Sequence, residues 1–256
     1  MSGTHAHALY VHGHSPVHRL APECKLAAQF LFVIAIVATP KEAFWAFGCY
    51  AAIVAGLIAL AGVSPRFVLR RLVFEVPFIA FALFLPLVGQ GARTEVFGLS
   101  LSVEGLWGLW NIVAKATLGL AVSIVVASTT TMPEFLRGFN RLHVPKAFTS
   151  IASFMVRYGD VIADEMHRMR IARASRGFEG RWIWQARAVA ASAGTLFIRS
   201  YERGERVYLA MVSRGFTGSM PDLGEATATR AMWIGAMALP AVGATIALVA
   251  WRVNAV

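Results

Sequence analysis

The residues best placed for chemistry in this sequence are two arginines, each part of a repeated nine-residue stretch. One copy spans residues 172–180 and the other residues 210–218, at a constant offset of 38. Six of the nine positions are identical and give the pattern Ala-x-x-Ser-Arg-Gly-Phe-x-Gly. The alanine, serine and arginine share one helix face because they are spaced at i, i+3 and i+4. The repeat therefore predicts a paired docking surface that presents a planar, permanently charged guanidinium.

Each copy is also predicted to end a helix, because glycine adopts the left-handed cap conformation at no steric cost. An arginine followed by glycine is an ordinary helix C-terminus too, since the helix dipole favours a cation there. Capping alone, however, does not require the same alanine, serine, phenylalanine and second glycine, so the duplication favours docking. The predicted docking residues are Ala172, Ser175, Arg176, Gly177, Ala210, Ser213, Arg214 and Gly215.

The sequence predicts no catalytic residue, metal site or cofactor. It contains no P-loop, no H-E-x-x-H and no G-x-S-x-G motif. Cys24 and Cys49 lack the spacing of metal ligands and are interpreted as small apolar residues. The histidine cluster near the N-terminus permits metal binding but is interpreted as a polar tail without a defined ligand set. Its members are His5, His7, His12, His14 and His18.

Composition indicates an all-α, polytopic membrane protein. The chain is 57% hydrophobic and 15% charged, with a mean hydropathy of +0.60, which is too apolar for an ordinary soluble domain. Residues 132–230 hold 15 of the 24 lysines and arginines. Nucleic acid binding is discounted because apolar residues run throughout that region, and the positive-inside rule for membrane proteins already explains its charge.

The apolar runs predict about five transmembrane helices. The predicted organisation is a cytoplasmic N-terminal segment (1–25), four transmembrane helices (26–131), a cytoplasmic region (132–230) and a last transmembrane helix (231–252). The first run is short for a span, which needs about 20 residues. The predicted spans are residues 26–39, 43–64, 72–88, 104–131 and 231–251.

The distribution of positive charge predicts the orientation. A basic loop at 65–71 and the region 132–230 are expected in the cytoplasm, which places the N-terminus inside and the C-terminus outside. The cytoplasmic region is expected to form one short helix (132–141) and two long helices (146–176 and 181–214), and each long helix ends at one copy of the repeat.

Two ionisable residues fall near or within the predicted spans. Glu75 is expected near the inner surface, with its carboxylate reaching the interface, and Lys115 is expected to make an internal polar contact. Their different depths argue against a direct ion pair between them. Intramembrane charges are functional candidates by default, and the sequence assigns neither a role.

The sequence resembles the transmembrane (T) component of energy-coupling factor transporters, the CbiQ/EcfT family. The two Ser-Arg-Gly triplets, 175–177 and 213–215, match its paired signatures. Residues 15–26 resemble its N-terminal motif, although Ala21 and Glu23 stand where the family usually has aspartate and arginine. The resemblance also covers coupling-region residues that would support docking, namely Pro145, Arg157, Tyr158 and Glu165.

The resemblance implies a non-catalytic coupling subunit of a multi-pass prokaryotic inner-membrane importer. Its partners would be two copies of a cytoplasmic P-loop ATPase, a substrate-binding membrane (S) subunit and membrane lipid. The residues of the motifs most resemble those of cobalt-type members, which implies cobalt as the substrate. Nickel or a vitamin is the alternative, and in each case the substrate would bind the partner subunit. A channel or carrier independent of ATP is the hypothesis from another class, and it would need polar residues that converge inside the spans. The third hypothesis, a membrane enzyme, has no supporting catalytic motif in this sequence.

Overall fold

The computed structural model describes residues 10–89, 92–96, 99–178, 186–218 and 228–254. The chain divides into two compact units. The first consists of Leu9–Gly138 together with Ala226–Val256, and the second contains Phe139–Glu225. The first unit therefore holds the apolar helices, and the second holds most of the basic region.

Helices dominate the first unit. Proline or a serine cap begins several of them: Ser64 caps α4 by accepting from the Phe67 amide, and Ser102 caps α7 by accepting from the Gly105 amide. The helices are α1 (Pro16–Arg19), α2 (Pro22–Ala38), α3 (Phe44–Ala61), α4 (Pro65–Leu72), α5 (Val76–Ala82), α6 (Leu85–Val88), α7 (Val103–Ser128), the start of α8 (Met132–Arg141) and, after the second unit, α11 (Arg230–Asn254).

Four stretches of the described chain are long and apolar enough to cross a membrane. They are Phe44–Ala61, Pro65–Val88, Val103–Ser128 and Arg230–Asn254. The all-α membrane prediction is thereby confirmed. The remaining predicted span forms α2, whose 17 residues reach about 25 Å, so the count of five spans stays a prediction.

The third span differs from its prediction in two ways. The expected loop at 65–71 is wrong, because α4 already forms there behind the Ser64 cap. The span is then broken into α4, a 3-10 turn at Val73–Glu75, α5 and α6. Pro77 and Pro86 lie at the first turns of α5 and α6. Proline has no amide hydrogen to donate and its ring clashes with the preceding turn, which explains the breaks.

The predicted loop at 89–102 contains a short antiparallel hairpin, β1 (Arg93–Val96) and β2 (Leu99–Ser102), which the sequence analysis missed. Arg93 pairs with Ser102 in its register. The hairpin leads directly into the N-terminal cap of α7 and therefore fixes where that span begins.

The core of the first unit lies where α2, α3, α7 and α11 meet. The Tyr50 hydroxyl donates to the Gly243 carbonyl at 2.9 Å and lies 3.0 Å from the Thr39 hydroxyl. The rings of Phe32 and Tyr50 pack edge to face with centroids 5.7 Å apart. A Cβ added at Gly243 would lie 2.8 Å from Cδ2 of the fully buried Phe32. Glycine therefore permits the close approach of α11 to α2.

The second unit contains the end of α8 and two long helices, α9 (Lys146–Ala174) and α10 (Ala186–Val212). Their positions agree with the predicted helices, although residues 181–185 of the second predicted helix lie outside the described chain. Both helices expose apolar side chains, including Phe148 and Met155 on α9 and Phe197 and Tyr201 on α10.

Candidate functional site

The first copy of the repeat forms a complete helix cap at the end of α9. Gly177 has φ of 77°, in the left-handed region. The Phe178 amide donates to the Arg173 carbonyl at 3.1 Å, and the Gly177 amide donates to the Ala174 carbonyl at 3.0 Å. This pair of hydrogen bonds around a left-handed glycine is the Schellman motif, which satisfies carbonyls that the helix end would otherwise leave unpaired.

The second copy reproduces this cap at the end of α10. Gly215 has φ of 84°. The Phe216 amide donates to the Met211 carbonyl at 3.0 Å, and the Gly215 amide donates to the Val212 carbonyl at 2.9 Å. Every residue in these bonds lies 38 positions after its counterpart. The sequence repeat is therefore a repeat of backbone geometry, and the expectation that both glycines end a helix is confirmed.

The serines complete the shared geometry. Ser175 donates its hydroxyl hydrogen to the Ala172 carbonyl, and Ser213 donates to the Ala210 carbonyl, each at 3.0 Å. Both hydroxyls thus bind the backbone of their own helix at a carbonyl three residues earlier. All eight predicted docking residues are solvent-exposed.

The guanidinium groups of the two arginines of the repeat have no ion-pair partner in the described chain. The side chains of Arg176 and Arg214 make no hydrogen bond or ion pair with any other residue that the structure describes. Other arginines of the same helices do: Arg168 and Arg199 bind a glutamate, and Arg173 donates to the Ser192 hydroxyl at 3.2 Å. Each repeat therefore presents a guanidinium that is available to an acidic partner.

Glu165 links the two long helices. Its carboxylate accepts from Arg168 on α9 and from Arg199 on α10, both at 2.6 Å. The hydrogen bond from Arg168, followed by that from Arg199, lowers the pKa of Glu165 below its ordinary value. A lowered pKa keeps the carboxylate ionised further into the acid range than that of an ordinary glutamate, so both ion pairs are lost only as the pH falls below that range.

The order of these contacts shows that α9 and α10 run antiparallel. Glu165 meets Arg199, whereas Arg173, eight residues further along α9, meets Ser192, seven residues earlier on α10. The first repeat therefore lies beside the start of α10, and the second lies at the opposite end of α10. From Ser192 to Arg214 the helix rises about 33 Å, so the two docking surfaces are well separated.

The remaining predicted support residues have different surroundings. Pro145 is the N-cap residue of α9. Tyr158 is half-buried and stacks on Phe154, with ring centroids 6.2 Å apart, while Arg157 is exposed. Of these four support residues, Glu165 alone forms an ion pair between the long helices within the described chain. Sequence reasoning missed its partner Arg199, because a contact across 34 residues leaves no periodic signal.

The two intramembrane charges bind separate partners, as their different depths suggested. The Lys115 ammonium donates to the Val37 carbonyl at 2.7 Å and so caps the end of α2. Glu75 is only 4% exposed, and its carboxylate accepts from the Thr117 hydroxyl at 3.0 Å. The expectation that Glu75 reaches the interface is therefore wrong.

The described histidines do not form a metal site. Within the part of the chain that the structure describes, no group of three or more metal-ligating side chains comes together. The His18 ring instead contacts the Ser15 hydroxyl at 2.7 Å and the Val11 carbonyl at 3.0 Å. His5 and His7 lie outside the described residues.

A family model described as CbiQ, cobalt transport protein, matches residues 13–223 of the chain. That range includes both copies of the repeat and all of α9 and α10. The chain is also similar to the energy-coupling factor transporter transmembrane protein EcfT of Thermosediminibacter oceani. The two are 24% identical over 260 residues, which cover 94% of this chain and 97% of the relative.

Two further relatives span most of the chain. EcfT of Staphylococcus aureus is 26% identical over 229 residues, covering 82% of this chain and 83% of that protein. A putative fused cobalt transport protein CbiMQ of Methanocorpusculum labreanum is 25% identical over 214 residues, covering 80% of this chain and 36% of that longer protein. The similarity thus includes the first unit as well as the second.

Proposed function

Because the chain belongs to the CbiQ cobalt transport protein family and is a transmembrane component of an energy-coupling factor transporter, we propose that it couples ATP hydrolysis to substrate import. Two copies of a cytoplasmic P-loop ATPase would bind it from inside the cell, and a membrane subunit would bind the substrate. The observation that carries the proposal is the duplicated helix cap with its exposed arginine. Two equivalent surfaces suit two copies of one partner.

The chemistry of each surface favours an acidic groove. A guanidinium pairs with a carboxylate through two parallel hydrogen bonds, which fixes orientation as well as affinity. Ala172 and Ser175 beside Arg176, and Ala210 and Ser213 beside Arg214, are small enough for a partner backbone to come close. The Schellman caps hold the backbone of each arginine at a rigid helix end, so little backbone conformational entropy is lost on binding.

The antiparallel pair of long helices supports a lever mechanism. Coupling between sites needs a contiguous element whose arrangement both sites can bias. Glu165 ties α9 to α10 through Arg199, so movement of one docked end is passed to the other helix. Closure of the two ATPases would then change the arrangement of the two helices and reorient the substrate-binding subunit.

Cobalt is the proposed substrate. It is supported by the description of the matched family and by the printed name of the Methanocorpusculum relative. The metal would bind the substrate-binding subunit rather than this chain. Uptake of nickel or of a vitamin by the assembled complex would retain the coupling role and change only the substrate.

The proposed topology follows the charge distribution. Residues 1–25 and 132–230 would be cytoplasmic, residues 26–131 would contain four membrane spans, and residues 231–252 would form the last. The N-terminus would then be inside and the C-terminus outside, in a prokaryotic inner membrane. Support comes from Arg66, Arg70 and Arg71 on α4 and from the basic residues of the second unit, which the positive-inside rule places on one side.

Charge reversal of the two arginines tests the docking role. We expect Arg176→Glu and Arg214→Glu each to reduce the amount of ATPase that co-purifies with the chain from its native membrane by about half, and the double variant to reduce it by about tenfold, because a carboxylate would face the acidic groove. Arg170→Glu is the matched control, since Arg170 is also exposed on α9 but lies outside the repeat. Full retention of the ATPase by the double variant would refute the proposal.

A further inference from the structure

The first turn of α2 contacts both segments by which the first unit connects along the chain to residues 139–225. The outgoing connection runs from the end of α7 at Thr129 to Gly138 in α8, and the described part of the returning connection begins at Ala228. We call residues 22–25 the anchor turn. All the contacts described below lie within the first unit.

Lys25 binds the outgoing connection. Its ammonium donates to the Thr129 carbonyl at 2.9 Å, to the Thr130 hydroxyl at 3.4 Å and to the His18 carbonyl at 3.2 Å. An ammonium has three hydrogens to donate, and these three contacts use them all. Lys25 is only 5% exposed, and burial of a charge is tolerated only where it is hydrogen-bonded. The carbonyls at the end of α7 also carry the negative end of the helix dipole.

Glu23 binds the returning connection from the same turn. It is 4% exposed, and its Oε1 accepts from the Ala228 amide at 3.2 Å, two residues before α11 begins. The outgoing helix α8 also passes close by. A Cβ added at Gly138 would lie 3.2 Å from the Pro22 carbonyl carbon and 3.3 Å from the Glu23 amide nitrogen. The backbones of α8 and the anchor turn are therefore in direct contact.

α2 continues from the anchor turn into the packed centre of the first unit. Its residue Phe32 is fully buried against Gly243 of α11, where a Cβ would meet the phenylalanine ring at 2.8 Å. Gln29 donates from its side-chain amide to the Ser123 hydroxyl of α7 at 2.8 Å. α2 therefore contacts two of the candidate membrane spans, α7 and α11.

We infer that Lys25 and Glu23 are positioning residues that join both connections of the coupling helices to α2 and so pass their movement into the membrane. The inference rests on the proposed coupling role. It assigns a mechanical function to residues that lie outside both copies of the repeat in the sequence. Loss of these bonds would leave the ATPases docked while the response of the membrane helices to ATP weakened.

The test compares substitutions at the anchor turn in the whole complex. Lys25→Met removes the three hydrogen bonds at similar side-chain length, and Glu23→Leu removes the acceptor for the Ala228 amide. Lys25→Arg and Glu23→Gln are the conservative variants. Lys41→Met is the matched control because Lys41 is exposed in the loop that follows α2. Each variant is co-purified with its own partner subunits and placed in lipid nanodiscs.

Hydrogen exchange is then measured with and without ATP. In the unaltered complex we expect ATP to change exchange in α9 and α10 and also in α2. In Lys25→Met and Glu23→Leu we expect the change in α9 and α10 to persist while the change in α2 falls about fivefold, a loss of coupling in the usual range. The conservative variants should recover most of the α2 response. A variant that was unfolded could show no ATP response in any helix, so the retained response in α9 and α10 serves as the folding control.

Two results would overturn the inference in different ways. An α2 response of full size in both Lys25→Met and Glu23→Leu would show that the anchor turn does not transmit movement, and it would leave the proposed function intact. Absence of the ATPase from the unaltered complex, or no ATP response in α9 and α10, would refute the proposed function and this inference with it.

Discussion

At the residue scale, the two docking surfaces depend on glycines whose role is conformational. A Cβ added at Gly177 or Gly215 would meet nothing within 4 Å, so neither glycine is needed for space. Both have positive φ, which costs an ordinary L-residue about 1–2 kcal/mol. A β-branched side chain at either position would therefore destabilise the cap and displace the neighbouring arginine.

This argument predicts a ranking of substitutions at Gly177. We expect Gly177→Val to weaken ATPase binding to the chain about tenfold, because a β-branched residue disfavours the left-handed region. Gly177→Asn should retain most of the affinity, since asparagine tolerates that conformation. Affinity of the purified ATPase for the chain in nanodiscs gives the comparison. Equal weakening by valine and asparagine would mean that the left-handed cap is not what positions Arg176.

The sequence was most informative where function and local structure coincide. A left-handed glycine after Ser-Arg can be predicted from those few residues, because helix capping is a local property. The pairing of Glu165 with Arg199 and the partners of Glu75 and Lys115 could not be predicted in the same way. Each is fixed by a contact between elements that are 34 to 78 residues apart, and one sequence holds no record of such pairs.

At the element scale, Gly105 of α7 allows the backbone of α6, in the broken third span, to pack closely against α7. A Cβ added at Gly105 would overlap the Leu85 carbonyl oxygen and lie 2.6 Å from the Pro86 Cα. These are backbone atoms, which cannot rotate away as the end of a side chain can. By contrast, a Cβ at Gly108, one turn further along α7, would be 3.7 Å from a Leu85 methyl group, an ordinary contact.

The two glycines therefore predict opposite results for the same substitution. Alanine is favoured over glycine inside a helix by about 1 kcal/mol, so Gly108→Ala should leave the thermal stability of the purified chain unchanged or raise it slightly. Gly105→Ala should lower the melting temperature by several degrees, since about 1–3 kcal/mol is typical of overpacking. Thermal unfolding in one detergent checks both. A Gly105→Ala variant as stable as Gly108→Ala would contradict the close contact between α6 and α7.

The elements that the sequence analysis misjudged have a common cause. Hydropathy predicted the third span correctly as apolar but gave no sign of its breaks, which Pro77 and Pro86 produce. Arginines at 66, 70 and 71 suggested a loop, although the Ser64 cap and Pro65 are sufficient to start a helix there. The hairpin between Arg93 and Ser102 is too short to show a strand periodicity. Local breaks of this kind are specified by single residues rather than by average composition.

At the scale of the whole molecule, one chain combines an apolar unit with a basic unit that carries two matching helix ends. The helices of the second unit run antiparallel, so the matching ends lie at opposite ends of α10 rather than side by side. A single arginine cap would be no more than a stable helix terminus. Two caps with the same backbone bonds, the same serine contacts and the same exposed guanidinium are better explained by two equivalent partners.

Native mass spectrometry of the complex measures that central claim most directly, because it counts the ATPase copies bound to each chain. We expect two copies on the unaltered chain, one on Arg176→Glu or Arg214→Glu alone, and none on the double variant, with Arg170→Glu retaining two. Two copies bound to the double variant would contradict the account, and Arg176 and Arg214 would then be ordinary helix-terminal residues.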